Sequence, residues 1–210
     1  MKKLAQPQKT PRSGAMLFRR VGKIGWKKSD HFTYTYAFPS LRRWLVGQIP
    51  PRLRILSVGC GTGELEKTLA TQARLVVGID LFIEMLHSAG RRGIQHLVQA
   101  NSHWLPFASA CFDAVILPET LGYVDPDKTL REVARVLKKN GRLLITTYPV
   151  HLVAHSVYKK RSAEEVSLAL GHTGFSVAER RFLLLKRFKL QEVKEENRCS
   201  LLYLLARKRG

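Results

Sequence analysis

The stretch Ile55-Leu-Ser-Val-Gly-Cys-Gly-Thr-Gly63 runs from a short apolar strand into a turn that contains three alternating glycines. The next apolar run, Leu75-Val-Val-Gly-Ile-Asp80, ends on a single carboxylate. Because glycine lacks a Cβ, such a turn can adopt positive φ angles and lie close to a ligand. A carboxylate at the end of the neighbouring strand can accept hydrogen bonds from two ribose hydroxyls. The turn alone would fit any α/β protein, but the two stretches together predict a nucleoside site at the carboxyl edge of a parallel sheet.

The spacing of the glycines indicates which nucleoside the turn binds. A dinucleotide fingerprint, G-x-G-x-x-G, counted from Gly59 and Gly61, would have its third glycine at position 64. That position is Glu64, whose carboxylate at a helix N-terminus would repel a phosphate. The sequence therefore disfavours a nicotinamide dehydrogenase and favours a phosphate-free ligand with a positive charge. S-adenosylmethionine, with its sulfonium, is such a ligand.

The composition indicates one globular domain. The chain has 210 residues, of which 45% are hydrophobic, enough for one buried core. Its three cysteines form no C-x-x-C pair, and its seven histidines do not cluster at zinc spacing, so we expect no metal site and a reducing compartment. The basic N-terminus lacks the apolar segment of a signal peptide, and the apolar run near the C-terminus is far shorter than a membrane span of about 20 residues. We therefore expect a cytoplasmic protein.

The formal net charge is +20, and two groups of cations lie towards the ends of the chain. The group that precedes Asp30 contains no acid and comprises Lys2, Lys3, Lys9, Arg12, Arg19, Arg20, Lys23, Lys27 and Lys28. The later group comprises Arg180, Arg181, Lys186, Arg187 and Lys189. Such groups can bind RNA or an anionic membrane surface. A solvated basic surface without a specific partner is an alternative of similar weight.

Turn residues and composition divide the chain into a basic flexible arm over residues 1–25 and one domain over residues 26–210. In that domain we expect an N-terminal helical segment over 26–50 and a cofactor-binding core over 53–147. The remainder, 148–210, is expected to hold a substrate-side helix and the last two strands.

Hydrophobic periodicity predicts alternating strands and helices through the core. The predicted strands cover residues 53–58, 75–80, 95–101, 112–118 and 142–147, and the predicted helices cover 64–73, 82–91 and 125–138. A helix with a Ser162 cap is predicted over 162–170, followed by strands 176–185 and 200–206. No helical pattern separates these last strands, so they are expected to be antiparallel. The alternation predicts a doubly wound α/β fold.

From Arg54 to Thr147 the chain resembles the class I S-adenosylmethionine-dependent methyltransferases, and among them the type 11 domain found in ubiquinone and menaquinone biosynthesis. The matching motifs are Val58-Gly-Cys-Gly-Thr-Gly63, Asp80, Leu105-Pro-Phe107 with Phe112-Asp-Ala-Val-Ile116, and the segment from Thr129 to Ile145. The resemblance implies a Rossmann-like three-layer sandwich with a seven-stranded, mostly parallel sheet of order 3-2-1-4-5-7-6, strand 7 being antiparallel. It also implies S-adenosylmethionine as the cofactor and methyl transfer as the reaction.

The resemblance implies which residues hold the cofactor. The matching positions are Val58, Gly59, Cys60, Gly61, Gly63, Asp80, Leu81, Asn101, Ser102 and Glu119. The glycine turn would cradle the methionine half, Asp80 would bind the ribose hydroxyls, and Leu81 would lie beside the adenine. Ser102 matches a position whose backbone N–H meets the adenine ring, and Glu119 matches a glutamate near the sulfonium.

Three departures from the family pattern narrow the function. Asn101 stands where the family has an aspartate that accepts from the adenine amino group, and its amide oxygen could accept that bond without charge assistance. Gly122 and Tyr123 occupy positions where the family has a histidine. Leu117-Pro-Glu-Thr120 differs from the Asn/Asp-Pro-Pro-Tyr/Phe motif of methyltransferases that act on the amino groups of bases.

Methyl transfer from a sulfonium is an in-line displacement, which needs a general base only where the acceptor loses a proton. The candidate bases are Glu119, His151 and His155, the two histidines lying four residues apart just past strand five. A loop hydrogen bond for Glu119 and a polar helix face for the histidines are the structural alternatives. The resemblance implies that the segment 26–50, which contains His31 and Tyr36, is a lid that folds over the cofactor.

Three functions are compatible with the sequence. The preferred one is methyl transfer to a small or amphipathic acceptor. The second is methylation of RNA or protein, docked through the basic ends of the chain. The third is a non-catalytic homologue that kept the fold and the cofactor site, because a fold does not by itself determine a reaction.

Overall fold

The computed structural model describes residues 12–24, 39–148, 158–186 and 189–209. The helices in these ranges are α1 (Arg12–Ile24), α2 (Pro39–Gly47), α3 (Glu64–Leu69), α4 (Ile83–Arg91), α5 (Pro126–Val136) and α6 (Ala163–His172). The strands are β1 (Arg54–Val58), β2 (Leu75–Asp80), β3 (His96–Gln99), β4 (Phe112–Pro118), β5 (Leu137–Thr147), β6 (Phe175–Lys186), β7 (Lys189–Val193) and β8 (Leu201–Lys208), with one 3-10 turn at Glu196–Arg198. None of the described helices is long and apolar enough to cross a membrane.

The strands form one sheet in the order β3-β2-β1-β4-β5-β8-β6-β7. Strands β1 to β5 pair in parallel, and β8 is antiparallel to both β5 and β6. With β8 in the place of the predicted strand 7, the predicted fold and strand order are confirmed.

The sheet has eight strands rather than the seven predicted. The additional strand β7 pairs with β6 between Phe182 and Lys186, beyond most of the β8 pairing. Its five residues, Lys-Leu-Gln-Glu-Val, alternate too weakly in hydrophobicity to predict a strand, and the pairing with β6 defines it instead.

The sheet is covered on both faces, and each face carries its own core. On one face, Val115 of β4 belongs to the cluster that contains Val133 of α5 and Val166 of α6. On the other face, Ile116 packs in the cluster that contains Leu41 of α2 and Leu65 of α3. Each such buried aliphatic side chain contributes about 1.5–3 kcal/mol relative to exposure. The two faces leave the carboxyl ends of β1, β2 and β4 together at one edge.

The end of α5 differs from the prediction. The helix ends at Val136, not at Lys138, and β5 begins at Leu137, five residues before the predicted start. Leu137 is fully buried and pairs with Phe112, so packing ends the helix there. Asn140, with φ of +59°, then lies in an irregularity of β5.

The prediction of a flexible arm over residues 1–25 is wrong for the described residues 12–24, which form α1. Val21 is fully buried, and the Arg91 guanidinium of α4 donates to the Gly22 carbonyl oxygen at 3.3 Å. The cations Arg19, Arg20 and Lys23 are exposed. Part of the basic run therefore forms one face of an amphipathic helix, although a flexible arm was predicted there.

The predicted lid over 26–50 is described only from residue 39 onward. That part is α2, which packs against the sheet: Leu41 and Leu45 are buried with Ile55. The ring of Trp44 meets that of Tyr203 of β8 edge to face, with centroids 5.0 Å apart. The described part of the predicted lid thus supports the core.

The packing of α1 on α4 makes a testable prediction. A Cβ at Gly22 would lie 2.5 Å from the backbone carbonyl carbon of Glu84, so Gly22→Leu should displace α1. We expect hydrogen exchange of the α1 amides to accelerate by about tenfold or more while the sheet amides keep their protection. Gly171→Leu is the matched control, because a Cβ at Gly171 of α6 meets no atom within 4 Å. Equal exchange of α1 in both variants would contradict this packing.

Candidate active site

A cavity opens at the carboxyl edge of the sheet, between the glycine turn after β1 and the ends of β2 and β4. Its wall contains nine of the ten predicted cofactor positions, namely Val58, Gly59, Cys60, Gly61, Asp80, Leu81, Asn101, Ser102 and Glu119. Gly63 is the exception. It precedes α3 with φ of +80°, and a Cβ there would lie 2.9 Å from the Ala89 side chain. Gly63 is therefore required by the packing of α3 against α4.

The middle glycine of the turn faces open space. A Cβ at Gly59 would lie 2.4 Å from Oγ1 of Thr120, so packing explains that glycine. Gly61 has φ of +54°, and a Cβ there would meet no atom within 4 Å. It also lines the cavity, which a side chain at this position would begin to fill. This concavity fits a ligand that lies directly on the turn.

Asp80 joins the turn to the end of β2. Its Oδ2 accepts from the Gly61 N–H at 2.9 Å, and its Oδ1 accepts from the Phe82 N–H at 3.0 Å. Burial raises the pKa of the carboxyl to about 6, against the opposing effect of these backbone bonds. The carboxylate is held in place with lone pairs left for the ribose hydroxyls that the sequence predicts.

Glu64 has a different role from the one predicted. Its carboxylate binds the Arg92 guanidinium at 2.7 Å and lies 3.7 Å from that of Arg42. Two cations therefore balance the charge that was expected to attract a positive ligand. Because position 64 is a glutamate, the turn still lacks the third glycine of the dinucleotide fingerprint.

A further carboxylate in the wall, Glu66, was not predicted from the sequence. It is 1% exposed and accepts at Oε1 from the hydroxyl of buried Ser57 at 2.6 Å. Among the described residues, nothing donates to its Oε2. Burial raises its pKa to about 7, with the Ser57 bond opposing and the charges of Asp80 and Glu64 reinforcing the shift. The sequence signal is a glutamate between Leu65 and Leu69 on the buried side of α3.

The predicted adenine end of the cavity is more constrained than expected. Oδ1 of Asn101 already accepts from the His103 N–H at 2.9 Å, so one lone pair remains for a ligand. The Ser102 hydroxyl bonds to that of Thr129 at 3.0 Å. His103, also missed, lines the cavity, and its Nε2 accepts from the Asp125 N–H at 3.3 Å. Burial lowers the pKa of His103. In the neutral ring, an accepting Nε2 leaves the proton on Nδ1.

Glu119 stands at the end of β4 in a left-handed conformation, with φ of +56°. Its N–H donates to the Thr146 carbonyl oxygen at 2.9 Å, and the next hydroxyl, Thr120 Oγ1, donates to the Val58 carbonyl oxygen at 2.7 Å. A non-glycine residue in this conformation costs about 1–3 kcal/mol and is found preferentially at functional sites. The neighbouring strands β1 and β5 thus hold the Glu119 backbone at the cavity.

Aromatic side chains form another part of the wall. The Phe18 ring of α1 stacks on Phe82 with centroids 5.2 Å apart and meets Tyr123 edge to face at 5.0 Å. Tyr123 in turn meets Tyr158 at 4.8 Å. A Cβ at Gly122 would lie 2.2 Å from the Tyr158 ring, so this ring fills the space that a side chain at position 122 would need. Phe18 was missed because its segment was interpreted as a flexible arm.

The remaining predicted site residues, His151, His155, His31 and Tyr36, lie outside the described residues. Their catalytic or lid roles stay predictions. Within the described ranges, no group of three His, Cys, Asp or Glu side chains could hold a metal ion.

The family described as methyltransferase domain matches residues 56–145. A demethylmenaquinone methyltransferase of Corynebacterium urealyticum is 30% identical over 164 residues, which cover 74% of this chain and 69% of that relative. A ubiquinone/menaquinone biosynthesis C-methyltransferase of Vibrio parahaemolyticus is 36% identical over 109 residues. These cover 47% of this chain and 42% of the relative, so the chain spans less than half of that protein.

The fold is also that of solved structures. A SAM-dependent methyltransferase of Thermotoga maritima, described as a possible histamine N-methyltransferase, matches with a TM-score of 0.73. The match covers 92% of this chain and 99% of that chain at 20% identity.

The open side of Gly61 predicts a selective loss of binding. Gly61→Ala should weaken S-adenosylhomocysteine binding by about tenfold or more, because a methyl group would enter the space of the ligand. Gly93→Ala is the matched control: Gly93 also has a positive φ and open space, but lies outside the cavity wall. Both variants should lose about 1–2 kcal/mol of stability from the left-handed backbone. Calorimetric titration and thermal melting test this, and equal affinity in the two variants would contradict it.

The raised pKa of Glu66 predicts how stability depends on pH. The pKa in the folded state, about 7, lies above the ordinary value of 4.5, so the protonated carboxyl favours folding and this stability is lost as pH rises towards 7. In the variant Glu66→Gln this side chain does not titrate. Without ligand, the free energy of unfolding of Glu66→Gln should therefore exceed that of the wild type by up to about 3 kcal/mol near about pH 8, and the difference should disappear near about pH 4. Thermal melting at the two pH values measures this. Exposed Glu164→Gln controls for net charge. A difference independent of pH would contradict the assignment.

Proposed function

The chain belongs to the S-adenosylmethionine-dependent methyltransferases, and we propose that it transfers the methyl group of this cofactor to a small or amphipathic acceptor. One observation carries the proposal. The wall of the cavity contains carboxylates and aromatic rings but, among the described residues, neither lysine nor arginine, although the chain has a net charge of +20. Such a wall favours a cationic cofactor and disfavours a phosphate-bearing acceptor at the reacting atoms.

The residues of the chain would position the reactants and exclude water. When bound, the cofactor supplies an activated methyl group on its sulfonium. Asp80 would take the ribose hydroxyls and the concavity at Gly61 the methionine half. Phe18 and Tyr123 would shield the reaction from solvent and leave an apolar surface for the acceptor. An acceptor that must lose a proton would use Glu119 or, from the segment outside the described residues, His151 or His155.

The names of the relatives suggest a specific acceptor to test. One of them is named as a demethylmenaquinone methyltransferase and another for ubiquinone and menaquinone biosynthesis. We therefore propose that purified protein methylates demethylmenaquinone, or its reduced form, with labelled S-adenosylmethionine. A lysate fraction depleted of RNA serves as a wider source of acceptors. Cofactor binding without transfer to any of these would favour the non-catalytic homologue.

A second candidate function is docking on RNA. Its support is the position of α1, in which exposed Arg20 and Lys23 belong to the same helix as Phe18 in the cavity wall. A polyanion bound along α1 would lie at the rim of the site without phosphate contacts inside it. Protein substrates with acidic segments would use the same surface.

RNA docking has its own test. Arg20→Glu with Lys23→Glu should weaken RNA binding by more than about tenfold and reduce the slope of affinity against salt. The matched control is Arg74→Glu with Lys139→Glu, which changes the same charge on exposed residues at the opposite edge of the sheet. Equal weakening in both variants would indicate only the general attraction of a basic protein.

A further inference from the structure

The acidic residues of the cavity wall differ in how their charges are balanced. Backbone N–H groups of Gly61 and Phe82 bind Asp80, and Arg92 and Arg42 bind Glu64. Glu66 has neutral partners, the Ser57 hydroxyl at 2.6 Å and its own backbone N–H, and no cation among the described residues lies within ion-pair distance of it. Of Asp80, Glu64 and Glu66, it is therefore the carboxylate with a buried oxygen that no described donor meets, and a charged partner from outside the chain could supply that donor.

Geometry limits what that partner can be. Ser57 occupies Oε1 of Glu66, while Oε2 is buried, faces no donor among the described residues, and belongs to a side chain that lines the cavity. A buried acceptor without a donor is costly, so a ligand that supplies an N–H or O–H would relieve it. A sulfonium has no hydrogen to donate. A primary ammonium has three, and it carries the complementary charge.

We propose that Ser57 and Glu66 form a cation subsite that binds the ammonium group of the methionine half of the cofactor. The position in the chain supports this, because α3 begins directly after Gly63 and carries Glu66 in its first turn. The glycine turn and Glu66 thus face the same end of the cavity, while Asp80 serves the ribose. The proposal rests on the cofactor and is independent of the acceptor.

The surroundings of Glu66 couple this binding to a proton. The charged or titratable groups that act on it are Asp80 at the end of β2, Glu64 on its own helix and the Cys60 thiol of the turn. All of these become negative or stay neutral, so they favour the protonated carboxyl in the free protein. An ammonium beside Oε2 favours the ionised form. Binding near neutral pH therefore releases a proton from Glu66.

The decisive experiment compares two ligands that differ at one group. S-adenosylhomocysteine carries the ammonium, and its deamino analogue keeps the adenosine, thioether and carboxylate. By calorimetry, the wild type should prefer S-adenosylhomocysteine by about tenfold or more, and Glu66→Gln should remove most of this preference. Unchanged affinity of Glu66→Gln for the deamino analogue shows that the variant is folded and that the rest of the site is intact.

Glu64→Gln is the matched control, since it removes a carboxylate two residues away that arginines already balance. It should keep the ligand preference. A preference that survives Glu66→Gln, or that both variants lose equally, would overturn the subsite. Absence of any S-adenosylhomocysteine binding by the wild type would contradict the cofactor itself, which is a different failure.

Proton release gives a second measurement that needs no variant. Near about pH 7 the heat of S-adenosylhomocysteine binding should vary with the ionisation enthalpy of the buffer more than that of the deamino analogue. Any proton linked to Asp80 and the ribose appears with both ligands and cancels in the comparison. The same buffer dependence for both ligands would overturn the proposal even if Glu66→Gln failed to fold.

Discussion

The hydrogen bond from the Gly61 N–H to Oδ2 of Asp80, 2.9 Å long, is the contact on which the site depends. It ties the turn after β1 to the end of β2, and the bond from Thr120 to the Val58 carbonyl oxygen ties β4 to the same place. Three strands that are distant in sequence therefore end in one rigid edge. Because each of these contacts joins a backbone group to a side chain of a neighbouring element, the edge is preorganised before any ligand arrives, and a ligand need not spend binding free energy on ordering it.

The distribution of charge follows from the same geometry. Lysine and arginine dominate the composition, yet the described cavity wall excludes both and gathers acids and aromatic rings. The carboxyl edge of this sheet lies between the two covered faces, and the loops that follow the strands enclose it. Charges there are weakly screened, whereas those on α1 face water and salt. The inside and outside of the site can therefore recognise partners of opposite charge without conflict.

The features that the sequence predicted correctly are those that a local pattern of residues determines. The bounds of β2 and β4 and the capping box at Ser162 are as expected, because a strand buried on both faces or a cap is determined by a few neighbouring residues. It missed β7 and α1, which depend on pairing and packing with distant segments. In the candidate site, the turn and Asp80 lie close together in sequence, but Phe18 reaches the cavity from α1, and Tyr158, far along the chain, packs against Tyr123 of the wall. Their placement is a tertiary property.

Glu66 shows why one buried acid can be retained against its cost. A protein selected only for stability would not bury a carboxylate beside Asp80 and Glu64, since each raises the free energy of the ionised form. The same isolation strengthens the attraction of any cation that reaches Oε2, because little water or counter-charge competes. Stability lost in the free protein is thus recovered as affinity when the ligand binds. With the proposed subsite, this cost would fall on the half of the site that would hold the cofactor, and the aromatic half would be left free to vary with the acceptor.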